Sequence, residues 1–181
     1  MLQIIVPACE LFNEQTNEFI YLKAQPLTLE HSLVSLSKWE ARWNKPFLTE
    51  EPKTRVEMAD YVRCMTLTQN VQPDVYSRLS ERNMKEVDAY LEAPMTATTI
   101  RDTKKGGRTS SQVVTSELIY YWMVSLNIPF ECQKWHLNRL LTLIRVCTIK
   151  NGKDNKMSKR DIFKQNAALN AARRAKAKSK G

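Results

Sequence analysis

The spacing of hydrophobic and polar positions changes from strand-like to helical near residue 28. Before that point, residues 2–6 and 18–24 are short runs of apolar, β-branched or aromatic residues, separated by the polar segment 13–17. Such runs on either side of a polar connector predict an N-terminal β-hairpin. Because a two-stranded ribbon is barely stable alone, we expect this hairpin to pack on the rest of the chain.

From residue 28 onward, apolar positions recur with the helical period. Caps and helix breakers predict four helices: Thr28 to about Trp43, a helix opened by the capping box Thr54-x-x-Glu57, Pro73 to Leu79, and Asn83 to Pro94. Residues 95–111 interrupt the pattern, because they are rich in Thr and contain the sequence Lys-Lys-Gly-Gly-Arg at 104–108. This composition predicts an exposed, mobile loop.

Two strongly apolar segments follow the loop. Residues 113–126 are apolar on nearly every side, and residues 131–149 continue the helical pattern after a break that contains Pro129. A helix that is apolar all round is either buried in the centre of a domain or covered by a partner. We expect these segments to form an antiparallel helical hairpin at the core of the fold, with three side chains buried: Trp122, Leu140 and Ile144.

Charge divides the chain near residue 150. The chain has a formal net charge of +9, and residues 150–181 contain 11 Lys and Arg against two Asp, which accounts for all of it. Ser158-x-x-Asp161 and an Ala-rich run favour helix in this segment. The sequence therefore predicts a mainly α protein with three parts: a β-hairpin over 1–27, a helical body over 28–151 and a basic, helical C-terminal arm over 152–181.

The sequence offers little for catalysis or for cofactor binding. It has only two histidines, His31 and His136, and neither stands in a recognised catalytic motif. Cys132 and His136 are four residues apart, on one face of the predicted helix, but a structural zinc site needs four such ligands. We therefore predict a buried thiol and a partly buried imidazole that donates to a backbone or side-chain acceptor, rather than a metal site, and a protein that is not an enzyme and needs no cofactor. No apolar run is long enough for a membrane-spanning helix.

The basic arm is the candidate partner-binding segment. Seven of its residues are the candidate contacts: Lys159, Arg160, Lys164, Arg173, Arg174, Lys176 and Lys178. Nucleic acid would be bound with a steep dependence on salt. However, Phe163 is the only aromatic residue of the arm that could stack on bases. An acidic protein surface is therefore the favoured partner of the arm, and nucleic acid is the alternative.

Five stretches of the chain together resemble a known family. They are 30–40 (EHSLVSLSKWE), 60–67 (DYVRCMTL), 92–98 (EAPMTAT), 127–141 (NIPFECQKWHLNRLL) and 157–160 (MSKR). The resemblance extends from about residue 28 to residue 175. It is to proteins that long-tailed, siphovirus-type bacteriophages encode beside their tail genes, and which are assigned as tail assembly chaperones.

The resemblance implies an assembly factor in the cytoplasm of the infected host cell. Such a chaperone coats the long helical tape-measure protein until tail-tube subunits polymerise around it, and self-association is a further expectation. The alternative is a structural protein of the virion, a connector or head-completion component, whose arm contacts nucleic acid or an acidic capsid surface. The resemblance assigns no residue to client binding.

Overall fold

The computed structural model describes residues 1–13, 17–100 and 113–154. These residues form four strands, β1 (Leu2–Val6), β2 (Cys9–Asn13), β3 (Glu18–Leu22) and β4 (Gln25–Leu29), and six α-helices, α1 (Leu33–Trp43), α2 (Arg55–Met65), α3 (Asp74–Ser77), α4 (Glu81–Glu92), α5 (Ser116–Ser125) and α6 (Leu137–Asp154). A 3-10 helix, Phe130–Lys134, precedes α6. None of the helices in these residues is long and apolar enough to cross a membrane.

The chain separates into two compact units, residues 1–144 and 145–181. Of the second unit, only residues 145–154, the last part of α6, are described. The predicted arm begins within this part, because α6 continues through Gly152 instead of ending there. The predicted loop at 95–111 is described only up to residue 100, and residues 93–100 form neither helix nor strand.

The N-terminal strands form a two-part antiparallel ribbon. Strand β1 pairs with β4, with Leu2 opposite Leu29, and β2 pairs with β3. The predicted pairing of residues 2–6 with 18–24 is therefore wrong, and Thr28 lies in β4 instead of capping a helix. The reason is that residues 25–29 pair with β1, and burial alternates along them so that Leu27 and Leu29 lie inside. This short alternation immediately precedes the helical pattern of α1.

The two parts of the ribbon differ in burial. In the β1–β4 part, Ile4, Val6, Leu27 and Leu29 are buried. Strand β1 packs on α4, where the Asn83 side chain donates a hydrogen bond to the carbonyl of Ile5. The β2–β3 part makes its main contacts within itself. Where the two parts meet, Arg78 Nη1 lies 3.1 Å from the Pro7 carbonyl and 3.4 Å from that of Lys23.

Helices α1 and α2 form the centre of the body. Ser32 begins α1 with a capping box, and Asn44, at φ 52°, ends it in the left-handed conformation. The predicted capping box of Thr54 and Glu57 begins α2 and is confirmed. Between the two helices lie six fully buried side chains, Leu33, Leu36, Trp39, Tyr61, Val62 and Met65. The buried tryptophan of this core is Trp39, whose indole N–H donates to the carbonyl of Glu57.

Two predicted helix starts are displaced by capping or tertiary contacts. Helix α4 is capped by Ser80, and Asn83 is the third residue of that helix, where it completes the capping box. The helix predicted from residue 131 starts at Leu137, because His136 bridges to Ser32 and the Leu137 N–H donates to the His31 carbonyl. These backbone contacts with a distant segment hold residues 135–136 extended, between the 3-10 helix and α6.

The predicted helical hairpin is not the centre of the fold. Helix α5 packs mainly on α1, and residues 113–115 of the predicted segment are not helical. Leu140 and Ile144 are buried as predicted, whereas Trp122 is only half-buried. The buried carboxylate of Glu40 on α1 accepts the backbone N–H of Ser116, the first residue of α5. This contact orients α5 against α1.

Candidate partner-binding surfaces

The seven basic residues predicted to contact a partner, from Lys159 to Lys178, lie outside the described residues. Their role stays a prediction. The described part of the chain therefore has to be considered for chemistry and for binding surfaces on its own residues. Three features stand out in it: a buried histidine pair, an exposed apolar helix face and an exposed aromatic ribbon.

The two histidines of the chain are in contact inside the body. The rings of His31 and His136 lie edge to face with centroids 5.1 Å apart. His31 Nδ1 lies 2.6 Å from the Tyr61 hydroxyl, and His136 Nε2 lies 3.0 Å from the backbone carbonyl of Tyr90. The backbone N–H of Asn138 points to His136 Nδ1, so that nitrogen is the acceptor and Nε2 carries the proton. This pattern assigns His136 as a neutral imidazole.

Burial keeps both imidazoles neutral near neutral pH. It lowers the pKa of His31 to about 3, with a smaller contribution from the nearby His136, and burial also lowers the pKa of His136. Cys132 is buried in the 3-10 helix, where burial raises the pKa of its thiol. Contrary to the prediction, Cys132 and His136 do not share one face of an α-helix, because the chain between them is not α-helical. The described residues contain no group of three or more potential metal ligands.

The neutral histidine pair makes stability depend on pH. We expect the free energy of unfolding to fall as the pH is lowered from about 7 to about 5. In this range the histidines of the unfolded chain, with a pKa near 6.5, become protonated, whereas those of the folded protein stay neutral. The contribution of His31 is complete above its unfolded pKa and is lost as the pH falls toward its folded pKa of about 3. The slope is at most about 1.4 kcal/mol per pH unit for each histidine.

Urea unfolding of the protein and of His31→Gln at both pH values tests this expectation. The variant lacks one of the two titrating groups, so its stability should change less with pH than that of the original chain. Carboxylates contribute little in this pH window, since most of them titrate below it. Equal pH dependence of the two proteins would show that His31 is not kept neutral by the fold.

Helix α5 presents an apolar face to solvent. Its sequence, SELIYYWMVS, contains a single charged residue, Glu117. Ile119 and Met123 are fully buried, whereas Tyr121 is 65% exposed and Val124 is 59% exposed. We call Tyr121 and Val124 the α5 outer face. The sequence pattern allowed either burial or a partner for this helix, and the structure leaves these two side chains uncovered by the described residues.

The β2–β3 part of the ribbon presents a second apolar surface. Phe12 and Phe19 face each other with ring centroids 5.1 Å apart, and Tyr21 lies on the same side of β3 as Phe19, whereas Ile20 lies on the opposite side. All four side chains are exposed, with Phe19 the most open at 73%. Clusters of exposed apolar residues of this kind are typical of protein–protein contact sites. The sequence predicted a hairpin here but placed it on the body, so this surface was missed.

Comparison of the chain with protein families, with curated proteins and with solved structures gives no match.

Proposed function

We propose that this protein is a tail assembly chaperone of a long-tailed bacteriophage, which binds the tape-measure protein in the host cytoplasm during tail morphogenesis. Two things support the proposal: the resemblance of the five sequence stretches described above, and the surface chemistry of α5. Several of the resembling stretches lie in the interior, around His31, Tyr61 and His136, and so bear on the fold. The exposure of the α5 outer face is the structural observation on which the proposed function mainly depends.

The α5 outer face differs from the outer face of α4. Helix α4 has the sequence ERNMKEVDAYLE and carries Arg82 and Glu86 as an ion pair on its surface. At its own solvent-exposed positions, helix α5 carries the apolar side chains of Tyr121 and Val124. Covering a large apolar side chain stabilises a complex by about 1.5–3 kcal/mol. A partner that covers both Tyr121 and Val124 therefore gains a useful part of its binding energy from them.

The spacing of the two side chains suits a helical client. Tyr121 and Val124 are three residues apart, which places them on one side of α5 and allows the apolar stripe of another helix to lie against them. Ten residues of helix are about 15 Å long, so one copy would cover about three turns of a client helix. Several copies would then be needed to coat a long client, as the proposed chaperone does.

Co-purification with the tape-measure protein tests the proposal. The chain and the tape-measure protein of the same phage are co-expressed, and the tape-measure protein recovered with the tagged chain is quantified. We expect the double variant Tyr121→Lys, Val124→Lys to recover about tenfold less, the equivalent of about 1.4 kcal/mol. Leu67→Lys is the matched control, because Leu67 is exposed and apolar but follows α2, with its backbone N–H bonded to the Thr28 carbonyl of β4.

Equal recovery by the double variant and the original chain would remove the α5 outer face from the proposed function. Mass spectrometry of purified virions separates the chaperone from the structural alternative, which the charge of residues 150–181 supports. A chaperone is absent from virions, whereas a connector or head-completion protein is present in fixed copy number. Light scattering of the purified chain shows whether a second copy covers the α5 outer face, since the double variant would then be a monomer.

A further inference from the structure

A pocket of about 590 Å³ opens between the end of α1, the outer side of α2 and α3. Three arginines line it, Arg42 from α1 and both Arg55 and Arg63 from α2. Its apolar part includes Val56 and Tyr76, and Val56 is largely exposed. The pocket thus combines cationic groups with an apolar surface, although residues 1–149 as a whole carry no net charge. We call it the arginine pocket.

Asp60 fixes the arginines on one side of the pocket. This carboxylate is mostly covered and accepts hydrogen bonds from the Trp43 indole at 2.9 Å and from Arg63 Nε at 2.8 Å. Arg42 Nη1 lies 3.3 Å from the same carboxylate. The hydrogen bonds from Arg63 and Trp43 and the charges of both arginines favour the ionised form, and the pKa of Asp60 is lowered despite its burial. Asp60 therefore acts as a charged anchor for two guanidinium groups.

Arg55 is fixed independently on the other side. Its Nη2 donates to the backbone carbonyl of Leu79 at 2.9 Å, and its Nη1 lies 2.9 Å from the carboxylate of Glu81. Glu81 is 79% exposed, so this ion pair is weak and can exchange for another carboxylate. The carbonyl contact does not depend on that exchange. It keeps the Arg55 guanidinium at the pocket when another carboxylate replaces that of Glu81.

The pocket has a surplus of hydrogen-bond donors and of positive charge. Each guanidinium carries five N–H donors, and the contacts made within the described residues use only one or two of them in each arginine. The lining residues include three guanidinium groups but only one carboxylate, that of Asp60. A ligand carboxylate would complete this arrangement, since planar guanidinium groups bind carboxylates through paired hydrogen bonds.

We propose that the arginine pocket binds an acidic segment of a partner protein, with a Glu or Asp side chain between the guanidinium groups and an apolar neighbour against Val56 and Tyr76. A nucleic-acid site would need a basic track along several phosphates, whereas this pocket is short, partly apolar and has a carboxylate in its wall. The inference goes beyond the proposed function, because it uses none of the residues of the α5 outer face and holds for any acidic partner.

Fluorescence anisotropy with synthetic peptides tests the inference on the full chain. The probe is a labelled peptide of about 12 residues, roughly three helical turns, with Glu and Leu on adjacent helical faces and both ends blocked. The control peptide has Gln in place of every Glu. We expect the acidic peptide to bind with a Kd below about 1 mM. Arg42→Gln combined with Arg55→Gln should weaken its binding about tenfold, the loss expected for charge-assisted contacts.

Arg82→Gln is the matched control variant, because Arg82 is an exposed, ion-paired arginine on α4 outside this pocket. The substituted pocket arginines are more than half exposed, so the melting temperature of the double variant should stay close to that of the original chain. The variant of the α5 outer face should still bind the acidic peptide. That result keeps this inference and the proposed function separable.

Three outcomes would overturn the inference. The first is no binding of the acidic peptide up to about 1 mM. The second is equal binding by the Gln peptide or by the double pocket variant. The third is displacement of the peptide by a single-stranded oligonucleotide of similar length at lower concentration than unlabelled peptide, which would assign the pocket to nucleic acid.

Discussion

Replacing Trp39 with Ala should lower the free energy of unfolding by about 3–5 kcal/mol. Trp39 is 1% exposed and lies where α1, α2 and the segment around Phe47 meet. Its ring is edge to face with Phe47 at 5.0 Å and with Tyr61 at 6.4 Å, and its N–H is hydrogen-bonded to the Glu57 carbonyl. The substitution therefore opens a cavity and also removes the indole N–H that the Glu57 carbonyl accepts.

Trp122→Ala is the control for this measurement, because the sequence pattern placed Trp122 in the core whereas the structure leaves it half-buried. We expect it to cost less than about 2 kcal/mol, since less apolar surface is removed from contact. Urea unfolding of both variants, followed by circular dichroism, gives the two values. A larger loss for Trp122→Ala than for Trp39→Ala would mean that the predicted hairpin of residues 113–126 and 131–149 is the true core.

Replacing Glu40 with Ala should lower the free energy of unfolding by about 3 kcal/mol, because two buried N–H groups lose their acceptor. One carboxylate oxygen of Glu40 accepts the N–H of Phe47 at 2.9 Å and the other accepts that of Ser116 at 2.7 Å. Thr115, which precedes α5, makes no capping hydrogen bond with its own side chain. Glu40 therefore caps α5 from α1, and its negative charge also suits the helix N-terminus.

Glu40→Gln should be intermediate, because the amide keeps one acceptor oxygen but presents an NH₂ group to the other N–H. Glu81→Ala is the matched control, since Glu81 is an exposed carboxylate in an ion pair of little expected value. The same unfolding measurement applies to all three variants. If Glu40→Ala were no more destabilising than Glu81→Ala, the carboxylate of Glu40 would not hold α1 and α5 together.

Sequence rules succeeded in this protein where a structure is set by neighbouring residues. The capping box of Thr54 and Glu57 needs only residues three positions apart, and it begins α2 as predicted. The mainly helical character beyond the N-terminal strands follows in the same way from the spacing of apolar residues. Such features can be derived from a short window of sequence because both partners of each contact lie within it.

The failures come from partners that are distant in sequence. Leu27 and Leu29 fit the end of a strand and the start of a helix equally well, and pairing with β1 decides between them. His136 is extended because of Ser32, more than a hundred positions earlier. The binding surfaces have the same origin. Composition showed that α5 is apolar all round, but only the packing of α1 determines that Tyr121 is left outside.

The arginine pocket shows this limit most directly. Its three arginines lie on α1 and α2, and its apolar wall includes Tyr76 of α3. No local sequence motif connects these residues. Arg63 and Asp60 are three residues apart and can be recognised as a helical ion pair from sequence. The approach of Arg42 to the same carboxylate depends on the packing of α1 against α2, which the sequence does not specify by any spacing rule.

The division of the N-terminal ribbon has a consequence for how stability is distributed in the molecule. The β1–β4 ladder is buried against α4, so it opens only when the body unfolds. The β2–β3 ladder makes its main contacts within itself, and an isolated two-stranded ribbon is marginally stable. It is therefore a separate cooperative unit of low local stability, which can open and re-form while the body stays intact. Arg78 lies at the junction between the β1–β4 ladder and the β2–β3 ladder.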